Sequence, residues 1–370
     1  MKLVVKREPL VNALTAASAV APIRSVRPNL KNALFTANPD GNLEVQATDL
    51  EVGLRYKLQA ESVKDPVSLC LPCQTLSGLL KECNEDVVSL ETEGAKGIFT
   101  VGRDRFEVLG QESSDFPEIP DIGEGSVVTV TAADLAAMID RTLFAAAREQ
   151  GRYAINGVYI QVREKLLEMV ATDGRRLAYC KKKLKGPGEL EEGVIVPIKM
   201  MQETRRLCEQ VTDNKKDVEI AVRGRSILVR GGQMTLSSVL VEGIFPKYQQ
   251  VIPKDIEKEI TFKREALLQA LRKAAYLTSD ETRTVSMVFK PGTCLIEARS
   301  PDKGVASVTA EVEYAGDEMT VAFNPQYVQD CLKVLTADNV RLEMKDANRP
   351  GLLREGNEYL YVLMPVNPKD

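Results

Sequence analysis

The sequence contains no histidine and no tryptophan. Histidine is the commonest general base near neutral pH and the commonest neutral metal ligand, so its absence excludes the Ser-His-Asp triad, the Cys-His pair and the HExxH zinc motif. Any buried aromatic side chain must be Phe or Tyr. Catalysis by paired carboxylates stays open, but no pattern places two carboxylates in one pocket, and no enzyme activity is predicted.

No run of about 18 or more apolar residues occurs, so no membrane-spanning segment is predicted. The apolar run at the N-terminus is too short for a signal peptide. No phosphate-binding glycine loop, dinucleotide fingerprint or calcium loop occurs, so we predict no cofactor and no metal. The net charge of −4 does not by itself indicate nucleic-acid binding, because charge placement can still make one face basic.

Cysteine is present in an odd number, seven, and the residues are scattered along the chain. This pattern is typical of reduced thiols in a cytoplasm and not of a disulfide framework. Cys70 and Cys73 have CxxC spacing just before a predicted helix. A redox pair is one interpretation; the simpler one is a strand cysteine followed by a turn cysteine.

Three segments of the chain begin alike, with a β-favouring run followed by an amphipathic helix whose apolar residues are three and four apart. They are residues 3–14 (LVVKREPLVNAL), 127–139 (VVTVTAADLAAMI) and 260–271 (ITFKREALLQAL). With Leu10, Leu135 and Leu267 as equivalents, the repeat distances are 135 − 10 = 125 and 267 − 135 = 132 residues. A period of this length indicates repeated domains and not a solenoid.

The remainder of each third also repeats: two strands around a turn, a strand that enters a second helix, and then further strands. We therefore predict an α+β fold in three tandem copies of a domain with two helices and roughly eight strands. The predicted domains are residues 1–121, 122–253 and 254–370. The linkers are short and polar, which favours fixed angles between domains and an arc that a second copy closes head to tail.

Basic residues cluster on the predicted helices. If these helices share one face, that face would hold phosphates without reading bases; a mixed helix surface is the alternative interpretation. The residues are Arg141, Arg148, Lys199, Arg205, Arg206, Arg264, Arg272 and Lys273.

The string VATDGRRLA (residues 170–178) predicts a strand, a turn and a return strand. Gly174 tolerates backbone angles that a branched residue does not, and Asp173 can hydrogen-bond its own turn. By itself this is a hairpin with two arginines. A related string, QATDLE, occurs at residues 46–51.

Together with the threefold repeat, several strings carry a family resemblance: VATDGRRLA, VEGIFPKYQQVIP (residues 241–253), YVLMPV (361–366), GRDRF (102–106) and FNPQYV (323–328). Over its whole length the chain resembles the bacterial replicative sliding clamp, the beta subunit of DNA polymerase III. The resemblance implies that each chain is half of a six-domain ring, a head-to-tail homodimer in the cytoplasm that encircles duplex DNA irrespective of sequence. Such a ring has no catalytic residues and tethers the replicative polymerase.

The resemblance also implies three functional surfaces. A peptide pocket would bind short motifs of the Gln-Leu-x-Leu-Phe kind in the DNA polymerase III catalytic subunit, the clamp loader complex, other polymerases and repair proteins. Its residues would be Ile155, Thr172, Gly174, Arg175, Arg176, Leu177, Pro246, Val251, Tyr327, Val362, Met364 and Pro365. Residues beside DNA would be Arg24, Gln150, Tyr153 and Lys199. The dimer contact would use Arg103, Arg105, Phe106 and Val108 on the strand at residues 103–108, facing Tyr276 and Leu277.

The chain departs from the family at Arg175, where histidine is frequent, and at the domain 3 edge, where acidic and basic residues alternate over residues 297–303. Two other functions are compatible with the residues: a β-rich hydrolase or isomerase built from fused repeats, and a monomeric clamp-like adaptor. A solution mass near twice 40.8 kDa would favour the clamp over both.

Overall fold

The computed structural model describes residues 2–148, 153–184, 186, 188–190, 192–211, 216–279, 281 and 283–366. The first third contains β1 (Lys2–Lys6), α1 (Arg7–Val20), β2 (Asn32–Ala37), β3 (Asn42–Thr48), β4 (Val52–Gln59), β5 (Ser62–Val63), β6 (Val67–Pro72), α2 (Cys73–Lys81), β7 (Val87–Glu93), β8 (Lys96–Val101) and β9 (Asp104–Leu109).

The second third contains β10 (Val128–Thr131), α3 (Ala132–Thr142), β11 (Gly157–Arg163), β12 (Leu166–Thr172), β13 (Arg176–Lys183), β14 (Val194–Pro197), α4 (Ile198–Gln210), β15 (Asp217–Arg223), β16 (Ser226–Gly231) and β17 (Met234–Val239). The last third contains β18 (Lys258–Lys263), α5 (Arg264–Ala275), β19 (Val285–Lys290), β20 (Thr293–Ser300), β21 (Gly304–Glu313), β22 (Met319–Phe323), α6 (Pro325–Val334), β23 (Asn339–Met344), β24 (Gly351–Glu355) and β25 (Tyr359–Leu363).

The order of elements repeats as the sequence predicts. Among the described residues, each third has two helices, and the second and third thirds have eight strands each. The first third has a ninth strand, the two-residue β5. The prediction of three tandem copies of one α+β domain is therefore confirmed.

Local chemistry explains the change from strand to helix in the last third of the chain. At α6 the side chain of Asn324 accepts a hydrogen bond from the backbone N–H of Gln326, and Pro325 occupies the first helical turn. An asparagine N-cap satisfies a donor that the helix leaves unpaired, and proline suits a position whose N–H has no helical acceptor. The Asn-Pro pair therefore ends β22 and begins α6.

The chain divides into two compact units. The first comprises residues 1–136, 185–190 and 199–240, and the second comprises residues 137–184, 191–198 and 241–370. The central third thus contributes to both units. The predicted boundaries between the three repeats remain predictions, because compactness in space divides the chain differently.

In the first unit, one sheet has the order β5-β1-β7-β8-β9 and another has the order β10-β15-β16-β17-β4-β3-β2-β6. In the second unit, a twelve-stranded sheet has the order β14-β11-β12-β13-β25-β24-β23-β18-β21-β20-β19-β22. A similar joint occurs inside each unit. A hairpin strand of one repeat pairs antiparallel with the last strand of the next repeat, β4 with β17 and β13 with β25.

The cores are apolar, and Phe and Tyr are their largest side chains. In the first unit Phe35 and Phe99 are fully buried, and in the second unit Tyr359, Tyr361 and Phe262 are. No helix among the described residues has the length and apolar character that crossing a membrane requires.

Six of the seven cysteines are buried, and Cys83 is half-buried. Cys70 lies in β6, Cys73 begins α2, and both are free thiols. Burial raises the pKa of Cys70 to about 11 and also raises the pKa of Cys73. A redox pair needs an accessible, low-pKa thiolate, so the redox interpretation of this CxxC string is wrong.

We predict that one thiol per chain reacts rapidly with Ellman's reagent at pH 8, and that the other six react only in denaturant. Reaction requires an accessible thiolate, whereas burial raises the pKa of Cys180 to about 11 and that of Cys294 to about 12. The Cys83→Ser variant should lose the rapid phase. If two or more thiols per chain reacted rapidly in the native protein, the assignment of six buried cysteines would be wrong.

Candidate functional site

The turn between β12 and β13 is fixed by its own side chains. Asp173 Oδ1 accepts hydrogen bonds from the backbone N–H groups of Arg175 at 2.9 Å and Arg176 at 3.1 Å. The hydroxyl of Thr172 donates to the carbonyl of Arg176 at 2.6 Å and accepts from the N–H of Gly174 at 3.1 Å. Gly174 has φ +88°, a conformation that is inexpensive only for glycine. The Thr-Asp-Gly sequence therefore determines the path of the chain here.

Arg176 is held from several directions. Its guanidinium donates to Asp173 at 3.0 Å, to Asp330 at 2.7 Å and to the carbonyl of Phe144 at 2.7 Å. It also lies 4.3 Å from the ring centroid of Tyr327. The side chain is only 10% exposed. Because a planar guanidinium with fixed partners has little freedom, Arg176 stabilises the turn against α6 and is not a mobile surface charge.

The joint between β13 and β25 brings the turn beside the end of the last strand. Leu177 pairs with Val362, Arg176 pairs with Leu363, and the N–H of Met364 donates to the carbonyl of Arg175 at 3.0 Å. A cavity of about 170 Å³ opens at this point. We call it the hairpin pocket, and it is lined by Ile155, Thr172, Gly174, Arg176, Leu177, Pro246, Lys247, Tyr248, Val251, Val362 and Met364.

Buried polar groups behind the pocket orient Tyr248. Its hydroxyl donates to the carboxylate of Glu168 at 3.2 Å and accepts from Gln161 at 3.0 Å, while the hydroxyl of Tyr179 donates to Glu168 at 2.7 Å. Burial first, and then the Glu168 carboxylate, raises the pKa of Tyr179 and of Tyr248. Both phenols therefore remain protonated donors, which compensates for the burial of Glu168.

Nine of the twelve residues predicted for a peptide pocket line this single cavity, and three do not. Tyr327 lies beneath the guanidinium of Arg176. Pro365 lines a neighbouring cavity of about 610 Å³ with Val366. Arg175 is exposed at the turn, and its backbone carbonyl, not its side chain, accepts from Met364.

Sequence reasoning did not include Lys247 and Tyr248 in the pocket. Both belong to the string FPKYQQV (residues 245–251), whose other members Pro246 and Val251 were predicted. A short 3-10 helix, Tyr248–Gln250, follows Lys247 and turns the string towards the cavity. Pro246, directly before Lys247, and Tyr248, the one aromatic residue after that proline in the string, were the available signals.

Of the residues predicted to lie beside DNA, Arg24 is exposed in the segment after α1. Lys199, in α4, donates to the carboxylate of Asp49, so its charge is already paired. Arg205 and Arg206, also in α4, form ion pairs with Glu209 at 3.0 Å and Glu203 at 2.7 Å. This arrangement agrees with the mixed helix surface more than with an unpaired basic face. Gln150 lies outside the described residues, as does the side chain of Tyr153.

The residues predicted for a dimer contact lie at or near exposed edges. β9 is an edge strand of its sheet, with Arg105 exposed, Phe106 half-buried and Val108 buried. The strand begins at Asp104, so the predicted strand at residues 103–108 is one residue too long and Arg103 lies in the preceding turn. After α5, Tyr276 is 81% exposed and Leu277 is partly exposed.

The hairpin pocket contains no arrangement of groups suited to a reaction. It is lined by apolar side chains, by the hydroxyl-bearing residues Thr172 and Tyr248, and by the cations Arg176 and Lys247. The lining contains no carboxylate and no thiol. Within the part of the chain that the structure describes, no group of three or more Cys, Asp or Glu side chains could hold a metal ion. The geometry is that of a binding site: an apolar cavity with a few polar groups at its rim.

Comparison with known proteins gives one family over the whole chain. Family models of the DNA polymerase III beta subunit match residues 1–120 (N-terminal domain), 129–247 (central domain) and 249–367 (C-terminal domain). A beta sliding clamp of Pseudomonas putida is 33% identical over 372 residues, covering 99% of this chain and 100% of the relative. A beta sliding clamp of Vibrio cholerae is 29% identical, covering 99% of this chain and 100% of the relative.

Comparison with solved structures gives the same family. The DNA polymerase III subunit beta of Pseudomonas aeruginosa is similar with a TM-score of 0.92 at 30% identity, covering 99% of this chain and 100% of that one. The beta subunit of Thermotoga maritima is similar with a TM-score of 0.91 at 25% identity, with 99% of each chain covered. A further Pseudomonas aeruginosa clamp, with a TM-score of 0.93 at 30% identity and 99% of each chain covered, was solved bound to griselimycin.

We predict that Asp330→Ala lowers the free energy of unfolding of the second unit by about 2 kcal/mol, because it leaves the nearly buried guanidinium of Arg176 with one carboxylate fewer. Urea denaturation followed by circular dichroism measures the effect. The matched control is Glu318→Ala, which breaks an exposed pair with Lys290 and should cost less than about 0.5 kcal/mol. If the two variants lowered the free energy of unfolding equally, the ion pair between Arg176 and Asp330 would not stabilise the fold more than an exposed pair does.

Proposed function

Because the chain belongs to the DNA polymerase III beta subunit family, the bacterial sliding clamps, we propose that it works as a homodimeric ring around duplex DNA. The ring tethers the replicative polymerase and does not itself catalyse a reaction. A tethered enzyme rebinds its template before it diffuses away, so the gain in processivity comes from effective concentration. The proposal includes a cytoplasmic location and requires neither cofactor nor metal.

The observation that carries the proposal is the hairpin pocket. Nine of the predicted residues, which come from four separate stretches of the sequence, line one cavity at the joint of two repeats. A site assembled from distant segments is suited to recognition of a partner. We propose that it binds short Gln-Leu-x-Leu-Phe segments of the DNA polymerase III catalytic subunit, the clamp loader complex, and other polymerases and repair proteins.

The chemistry of the pocket suits such a segment. Leu177, Val362 and Ile155 give an apolar surface for leucine and phenylalanine side chains, and Met364, 42% exposed, can adapt to different ligands. Lys247, exposed at the rim, supplies a polar partner that fixes direction. Several proteins can therefore compete for one pocket.

We propose that the dimer forms through two sheet edges. Among the strands that the structure describes, β9 has a partner on one side only. Over the described residues, β21 pairs with β20 from Gly304 onward but with β18 only at Val312 and Glu313, so its first part is also an edge. Exposed edges attract further strands. Head-to-tail pairing of β9 with β21 of a second copy would satisfy both edges and cover Tyr276 and Leu277.

Duplex DNA would be held through its phosphates and without sequence preference. Arg24 is exposed and available for this role, whereas Lys199 would have to exchange its contact with Asp49 for a phosphate. We include Gln150 and Tyr153 on the resemblance alone. Weak, salt-sensitive contacts of this kind permit sliding.

We predict that Met364→Ala weakens binding of a fluorescein-labelled Gln-Leu-Asp-Leu-Phe peptide by about tenfold, because the variant removes an adaptable side chain from the apolar lining of the pocket. Fluorescence anisotropy measures the dissociation constant. The matched control is Val87→Ala, which truncates a comparably exposed aliphatic residue in the first unit and should leave the affinity unchanged. If the Met364→Ala variant bound the peptide with full affinity, the hairpin pocket would not be the peptide-binding site.

A further inference from the structure

The first unit contains a cavity whose framework repeats that of the hairpin pocket. Its volume is also about 170 Å³. We call it the acidic pocket, and it is lined by Thr48, Leu50, Glu51, Gly53, Pro117, Glu118, Ile119, Pro120, Ser226, Ser237, Ser238 and Val239. Nothing in the proposed clamp function uses it.

The turn at the acidic pocket has the same hydrogen bonds as the turn at Thr172. Asp49 Oδ1 accepts from the N–H groups of Glu51 at 3.0 Å and Val52 at 2.8 Å. The hydroxyl of Thr48 donates to the carbonyl of Val52 at 2.9 Å and accepts from the N–H of Leu50 at 2.9 Å. The related strings QATDLE and VATDGR therefore build one and the same turn, each inside its own unit.

The sheet joints also correspond. Ser237 of β17 pairs with Gly53 of β4, as Val362 of β25 pairs with Leu177 of β13. Two residues after each of these last-strand positions, Val239 and Met364 both line their cavities.

The segment after each joint corresponds as well. In each unit this segment begins with Phe-Pro. It supplies Pro117 and Ile119 to the acidic pocket, and Pro246 and Tyr248 to the hairpin pocket. The fold thus produces the same kind of pocket twice.

The side chains at equivalent positions differ in size and shape. Leu50 stands where the hairpin pocket has Gly174, and it keeps φ +76°, which is unfavourable for leucine. Its side chain is 50% exposed, as is that of Val239. Two exposed aliphatic residues therefore border a cavity whose lining contains the small residues Gly53 and Ser237. An exposed leucine in a strained conformation is a feature that solvent alone does not favour.

The charge at the rim of the acidic pocket is opposite in sign to the charge at the rim of the hairpin pocket. Glu51 and Glu118 are exposed at the acidic pocket; the equivalent residues of the other framework are Arg175, exposed at its turn, and Lys247, which lines the hairpin pocket. Two cations contact this region: Lys199 donates to the carboxylate of Asp49 in the turn, and Arg55 donates to the carbonyl of Ile119 at 3.0 Å. The charge of Arg55 is already compensated by an ion pair with Glu44 at 2.8 Å. The rim therefore favours a cationic ligand.

We propose that the acidic pocket is a second docking site, for an extended segment of a partner protein that presents an aliphatic side chain flanked by lysine or arginine. The aliphatic side chain would enter between Leu50 and Val239, and the flanking cations would lie beside Glu51 and Glu118. Because the rim charges differ, the segment belongs to a different class from the ligands of the hairpin pocket. The inference depends on the geometry of the first unit and not on the ring or on the occupant of the hairpin pocket.

Photo-crosslinking of the full chain tests the proposal. The probes are two acetylated peptide amides, Gly-Lys-Leu-Val-Lys-Gly and Gly-Glu-Leu-Val-Glu-Gly, each with a diazirine analogue of leucine, and mass spectrometry maps the labelled residues. The lysine probe should label residues 48–53, 117–120 and 237–239 about fivefold more than the glutamate probe does. Equal labelling by the two probes, or labelling outside these segments only, would overturn the proposal.

Variants separate a docking site from adventitious labelling. The double variant Glu51→Lys, Glu118→Lys should reverse the preference between the two probes. The control Glu61→Lys, Asp65→Lys changes the net charge equally at exposed positions outside the pocket and should leave the preference unchanged. If both double variants lower labelling by the lysine probe equally, net charge alone explains the result and the site does not exist.

Leu50→Gly tests the aliphatic contact without risk to the fold, because Gly174 occupies the equivalent position in the other turn with φ +88°. The variant should unfold at the same temperature or higher and should lose most of the labelling by the lysine probe. Labelling that persists in a folded Leu50→Gly protein would contradict the role given to Leu50.

Discussion

The structure depends on one backbone interaction that occurs once in each unit: a hairpin strand pairs antiparallel with the last strand of the following repeat. β4 pairs with β17 in the first unit and β13 pairs with β25 in the second. Each pairing continues a sheet from one repeat into the next, so two repeats share a single hydrogen-bonded framework. The turn of the hairpin and the end of the last strand then lie side by side, and a cavity forms between them.

This constraint explains why both pockets depend on turn chemistry. The Thr-Asp pair at residues 172 and 173 holds the turn through four hydrogen bonds, and the pair at residues 48 and 49 does the same. Side chains beyond this framework are free to differ. Gly174, Leu177 and Val362 give one pocket an apolar surface, whereas Leu50, Gly53 and Ser237 give the other a different shape. A duplicated fold thus provides two binding geometries from one local design.

Much of this arrangement could be predicted from the sequence, because repeated patterns and turn residues act locally. The helices and strands of the three repeats follow from periodicity, and eight of the nine predicted pocket residues lie in strings that resemble a known family. The sequence did not indicate that Arg176 is anchored by Asp330, which is 154 residues away. Nor did it indicate that Asp49 pairs with Lys199, or that Lys247 and Tyr248 complete the pocket. These contacts depend on tertiary structure, for which periodicity carries no signal.

The central claim is that the protein holds DNA by enclosing it. The most direct measurement is the lifetime of fluorescently labelled protein on DNA at moderate salt, after loading by a clamp loader with ATP. A nicked circular plasmid is compared with the same plasmid cut once by a restriction enzyme. A closed ring can leave circular DNA only by opening but can slide off a free end, so we expect a far longer lifetime on the circle. Equal lifetimes on the two DNAs would contradict enclosure.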